Sequence, residues 1–133
     1  MPVFDVQTSA ARHHSNHGWL QTAYSFSFAD YHDPDNTQWG SLRVLNDDRI
    51  APGKGFGMHP HADMEILTYV LSGELTHEDS MGNAGALKAG GVQYMSAGTG
   101  VVHAERNDGQ NELHLVQMWV LPDQKFHQPQ YGQ

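Results

Sequence analysis

No window of this 133-residue chain keeps its apolar residues at helical spacing; they come in short runs, each cut off by glycine, asparagine, aspartate or proline. Ile66-Leu67-Thr68-Tyr69-Val70-Leu71 is the plainest strand, closed by Ser72-Gly73, and Glu74 to Glu78 returns from that turn as its hairpin partner. Trp19 to Phe28 mixes aromatic and hydroxyl residues as a strand does. Leu42 to Leu45 reads as another, expected to stop at Asn46-Asp47-Asp48. Ala86-Leu87-Lys88 leads through Ala89-Gly90-Gly91 into Val92-Gln93-Tyr94-Met95. Leu113 to Leu121 is apolar on both faces and predicts a central strand covered on both sides. Short strands broken by frequent turns predict an all-β sandwich or barrel, and the length suits one domain with one core.

Two histidine pairs stand out in that pattern. Gly57-Met58-His59-Pro60-His61 is followed by Glu65, and Gly98-Thr99-Gly100-Val101-Val102-His103-Ala104-Glu105 comes about forty residues later. Side chains alternate along a strand, so His59 and His61 share a face, as do His103 and Glu105. On facing strands the pairs converge, and three imidazoles with a carboxylate suit a first-row divalent metal with coordination positions left open. Glu65 and Glu105 can both reach such a cavity. Phe56 and Met58, bulky residues in a glycine-rich segment, are expected to wall it. The other histidines have plainer explanations. His13, His14, His17 and His127 lie in polar segments, His32 beside Asp33-Pro34-Asp35 reads as loop, and His77 and His114 read as sheet residues.

Composition narrows the function. The net charge is −8 with no run of Lys or Arg, which argues against a nucleic-acid face. With no cysteine, metal donors are limited to nitrogen, oxygen and weak thioethers. No apolar stretch approaches the ~20 residues that span a bilayer and no signal-peptide core is evident, so a cytoplasmic location is expected.

The order of these features resembles the cupin superfamily, whose architecture is a double-sheet jelly-roll barrel. Gly53, His59, His61 and Glu65 meet its first motif, with Gly73 one residue late; Gly100, His103 and Asn107 meet its second, with Gly98 where proline is usual. Within that superfamily the chain is similar to the pirin family, especially its bacterial quercetinase-type members. The likeness is carried by Asn16-His17-Gly18-Trp19, Leu42-Arg43-Val44-Leu45-Asn46-Asp47-Asp48, Gly55-Phe56-Gly57-Met58-His59-Pro60-His61, His77-Glu78-Asp79-Ser80-Met81-Gly82-Asn83 and Met95-Ser96-Ala97-Gly98-Thr99-Gly100. It implies metal ligands His59, His61, His103 and Glu105, with Glu65 left as a candidate catalytic base and Glu105 as the other. It implies iron(II), with Mn, Co, Ni, Cu or Zn as other divalent occupants, and cleavage of a flavonol such as quercetin by dioxygen. The alternative it implies is a metal-binding transcriptional co-regulator or redox sensor without turnover. Such proteins usually carry two barrels, so residues 1–121 are expected as the first and 122–133 as a tail or connection, with a homodimer or a second cupin domain covering the exposed face.

Overall fold

The computed structural model describes residues 1–133 and contains no α-helix. A 3-10 turn at Ser9–Ala11 precedes nine strands: β1 His13–Asn16, β2 Leu20–Tyr24, β3 Leu42–Ile50, β4 Gly55–Ser72, β5 Glu74–Asp79, β6 Ala84–Lys88, β7 Val92–Arg106, β8 Leu113–Val120 and β9 Gln130–Gly132. All pairings are antiparallel, in the order β1-β2-β3-β8-β4-β7-β5-β6, with β9 joined to β7. Leu20 from β2, Ile50 from β3, Val70 from β4, Leu75 from β5, Leu87 from β6 and Leu113 and Leu115 from β8 form one buried cluster. Side chains from opposite ends of the strand order meet there, so the sheet curls onto itself. Complete burial of Ile50, Val70, Leu75 and Leu113 stabilises this end by about 1.5–3 kcal/mol per side chain. A second cluster of Ile66, Met95, Ala97 and Val101, flanked by Met64, Trp119 and Tyr131, fills the space nearer the histidines.

Three local departures from the sequence reading position the site. Strand β3 does not stop at Asn46-Asp47-Asp48 but runs through it, because Val44, Asn46, Asp48 and Ile50 alternate inward. The buried Asp48 carboxyl is satisfied by the Thr22 hydroxyl, which is how a polar residue sits in a strand interior. Strand β8 is central, between β3 and β4, but Val116, Met118 and Val120 on its outer face are only half-buried, so one face is open. Strand β4 changes phase midway. His59 and His61 point inward in its first half and Ile66, Thr68 and Val70 in its second, with a register break between His61 and Asp63 and a left-handed φ of 68° at Asp63.

The segment after Leu121, expected as a tail or connection, returns to the sheet. Gly98 has φ of 51°, and a Cβ there would collide with the His127 carbonyl, which accepts a 2.9 Å hydrogen bond from the Thr99 N–H. That close approach lets β9 lie beside β7 and sets Tyr131 opposite Met95, facing the interior.

Candidate metal centre

Strands β4 and β7 pair His59 directly with His103 and Phe56 with Glu105, and cross-strand partners project to the same side. The three imidazoles form a tight triangle: ring centroids are 4.8 Å apart for His59–His61, 4.4 Å for His59–His103 and 4.8 Å for His61–His103. One nitrogen from each lies within 4.8 Å of the others. The His59 Nδ1–H donates to the Gly57 carbonyl at 2.6 Å, which fixes the tautomer and leaves Nε2 as a free lone pair. His103 is only 1% exposed, and neither of its ring nitrogens has a protein partner. Burial, reinforced by His59 and the other neighbouring imidazoles, pushes His103 down to about 3. Burial and His59 push His61 down to about 4. Both rings are therefore neutral at neutral pH, with lone pairs available. Buried nitrogens without partners are costly unless something coordinates them, so the donor set fits a divalent first-row cation.

Glu105 sits beside this triangle. Its Oε1 is 3.6 Å from His103 Nε2, and its two oxygens accept 3.0 Å hydrogen bonds from the side-chain amides of Gln117 and Gln93. His77, His103 and Glu105 form a second, fully buried group of potential ligands that shares His103 with the first. His77 is fixed from behind: its Nε2–H donates to Asp79 at 2.7 Å, and Tyr131 stacks on its ring at 4.2 Å. Burial opposes ionisation of Asp79, but hydrogen bonds from His77, Asn83 and Met81 outweigh it and hold the carboxyl below its ordinary range.

Glu65 does not join the centre. Its carboxylate accepts hydrogen bonds from Tyr94 at 2.8 Å and Ser96 at 3.0 Å, while its neighbours Met64 and Ile66 pack into the interior. The phase change in β4 turns Glu65 to the outer face, which removes the geometric basis for expecting it to serve as a base. Phe56 does face the site, with its ring 6.3 Å from His59 and edge-on to Trp19 at 5.3 Å. Met58 lies in the register break between Phe56 and His59 and is 58% exposed, so it does not wall a closed cavity. The apolar wall nearest the histidines comes from β8 instead: Trp119 meets His61 edge-on at 4.9 Å and Phe28 packs against Trp119 at 5.5 Å.

Sequence reasoning passed over Gln93, Gln117, His77, Asp79, Trp119 and Tyr131 as parts of the site. A signal existed for some of them. His77 and Asp79 repeat the two-residue spacing of the ligand pairs, and Gln93 keeps the same strand parity as Glu105 on β7. Nothing in the sequence could have placed Tyr131, which arrives through a nonlocal return of the chain.

The curled antiparallel sheet with an inward histidine cluster defines a protein of cupin fold. A solved cupin domain agrees in fold: that of Schizosaccharomyces pombe Cnp3 superposes with a TM-score of 0.63 at 14% identity, over 86% of this chain and 72% of that one. More specific likenesses follow. The Pirin family profile matches residues 5–120, and the chain belongs to the pirin family. It is 58% identical over 118 residues to a Zymomonas mobilis protein provisionally named quercetin 2,3-dioxygenase, covering 89% of this chain and 50% of that protein. It is 54% identical over 123 residues to the quercetin 2,3-dioxygenase of Escherichia coli K12, covering 92% of this chain and 53% of that one. The E. coli bacterial pirin YhhW, solved as a nickel(II) complex, superposes with a TM-score of 0.91 at 50% identity, over 93% of this chain and 54% of that one. The chain thus spans about half the length of the curated relatives it matches. No helix is long and apolar enough to cross a membrane.

Proposed function

We propose that this chain carries the metal centre of an oxygen-dependent enzyme that cleaves flavonols of the quercetin type. His59, His61, His103 and Glu105 hold a divalent first-row cation, iron(II) for catalysis. The observation that carries the reading is the triangle of inward imidazoles with two buried, partnerless nitrogens on His103. When bound, the ion supplies Lewis acidity toward a substrate hydroxyl and electron exchange with dioxygen. The chain's own residues supply the rest. Glu105, beside His103, is the carboxylate placed to take the proton of the substrate's 3-hydroxyl. Trp119, Phe28 and Phe56 offer aromatic faces and edges to a flat substrate and keep water from the reacting ring. Relatives at 54–58% identity that carry the quercetin 2,3-dioxygenase name support the substrate class.

The test is oxygen uptake by the iron(II)-loaded protein with quercetin and, separately, with a flavone lacking the 3-hydroxyl. Uptake with quercetin alone is expected. Equal uptake with both overturns the role given to the 3-hydroxyl. No uptake with either, at full metal occupancy, leaves a metal-binding protein without turnover, such as a pirin-type co-regulator.

A further inference from the structure

Two hydrogen-bonded relays end on Glu105. In the first, the Trp119 indole N–H donates to Gln117 Oε1 at 3.0 Å, and Gln117 Nε2 donates to Glu105 Oε1 and to the Thr68 hydroxyl. An indole N–H can only donate and a carboxylate can only accept, so Gln117 has one allowed amide orientation. In the second, the Gln133 amide donates to the Tyr131 hydroxyl at 2.9 Å, Tyr131 donates to Gln93 Oε1 at 3.2 Å, and Gln93 Nε2 donates to Glu105 Oε2 at 3.0 Å. Here too the acceptor-only carboxylate sets which end of the Gln93 amide faces it, and the Tyr131 hydroxyl anchors the other end. Without it the amide still turns its N–H2 to Glu105 but loses the anchor on its oxygen, so the carboxylate is held less firmly.

We propose that Gln93 and Gln117 are positioning residues that aim Glu105 at the ion, and that Tyr131 anchors Gln93, which makes the C-terminal strand part of the metal centre. The elements involved are remote in sequence but meet at one carboxylate. Gln93 is 2% exposed, Gln117 is half-buried, and Tyr131 sits opposite Met95 and packs against the second apolar cluster while stacking on His77. Burial strengthens such hydrogen bonds and makes an unmet one costly. Partners behind a metal ligand typically change metal affinity by about 10–100-fold when removed. The inference rests on the reading of Glu105 as a ligand, and the experiment separates the two.

The experiment is cobalt(II) binding to the metal-stripped full chain, with no flavonol present, followed by competition titration and by the visible ligand-field spectrum. Tyr131→Phe keeps the ring on His77 and deletes only the hydroxyl; Gln93→Leu deletes the amide. Affinity should fall about tenfold in Tyr131→Phe and further in Gln93→Leu, with a changed cobalt spectrum, while the metal-free variants keep the circular dichroism of the folded chain. Because Tyr131 acts through Gln93, the double variant should bind no more weakly than Gln93→Leu alone. Fully additive losses, or unchanged affinity in Gln93→Leu, overturn the relay. Glu105→Gln is the control: if it leaves cobalt affinity intact, the ligand assignment itself fails; if it weakens binding while Gln93→Leu does not, only the relay fails.

Discussion

Acid should unfold the metal-free protein earlier than an ordinary β-barrel, and the size of the effect follows from the histidine triangle. Lowering the pH of chelator-stripped protein from about 7 to 5 protonates histidines in the unfolded chain, where their pKa is near ~6.5. In the folded chain burial holds His61 at about 4 and His103 at about 3, so those rings stay neutral over this range. The unfolded state therefore binds more protons, and stability, complete above ~6.5, drains away as the pH falls. Each of the two contributes a loss of about 2 kcal/mol over that interval. Asp48 works in the opposite sense. Burial raises its carboxyl to about 6, so the folded state takes up this proton first. That returns about 1 kcal/mol over the same interval. The net loss is about 2–3 kcal/mol, a drop of about 1–2 M in the urea midpoint for a domain of this size. Equilibrium urea unfolding in the presence of chelator, followed by tryptophan fluorescence, measures it. A midpoint that is flat or rises toward pH 5 refutes the reasoning. So does an equally steep decline in the double variant His61→Asn, His103→Asn, where the two titrating rings are gone.

Single replacement of His59, His61 or His103 by Ala should remove most bound metal by elemental analysis, whereas His13→Ala, His14→Ala and His127→Ala should keep it; full occupancy in His103→Ala sinks the proposed site. Glu105→Gln should weaken metal retention, while Glu65→Gln on the outer face should leave metal content and oxygen uptake close to the unaltered protein, and the reverse pattern restores Glu65 to the centre. Gly98→Ala should destabilise by about 1–3 kcal/mol in thermal or urea unfolding, since it combines a left-handed backbone with a collision against the His127 carbonyl.

The sequence exposed the site best where strand alternation is regular. His59 and His61, or His103 and Glu105, need only two-residue periodicity and a facing strand to converge, and both conditions can be read from the residues. Asn46-Asp47-Asp48 misled because three polar residues look like a stop, while the folded chain has an interior polar enough to accept two of them. Glu65 misled for a different reason. Counting from His61 puts it on the ligand face, and the count fails because one residue at Asp63 takes a left-handed turn that no local composition announces. Phe56 was placeable by proximity in sequence. Trp119 and Tyr131 were not, since their nearness to the histidines comes from strand order and from the return of the C-terminal segment.

The irregularity at Asp63 also sets how insertions and deletions must behave in this strand. It acts as a half-period phase shifter between two registers on one continuous strand, one reserved for coordination and the other for greasy packing. With the left-handed turn at Asp63 kept, removing a single residue between it and Ile66 would swing Ile66, Thr68 and Val70 toward solvent and bring Glu65 inward, exchanging core for charge in one step. Length there is therefore constrained more tightly than residue identity, and the motif's spacing belongs to the architecture of the barrel as much as to the chemistry of the ion.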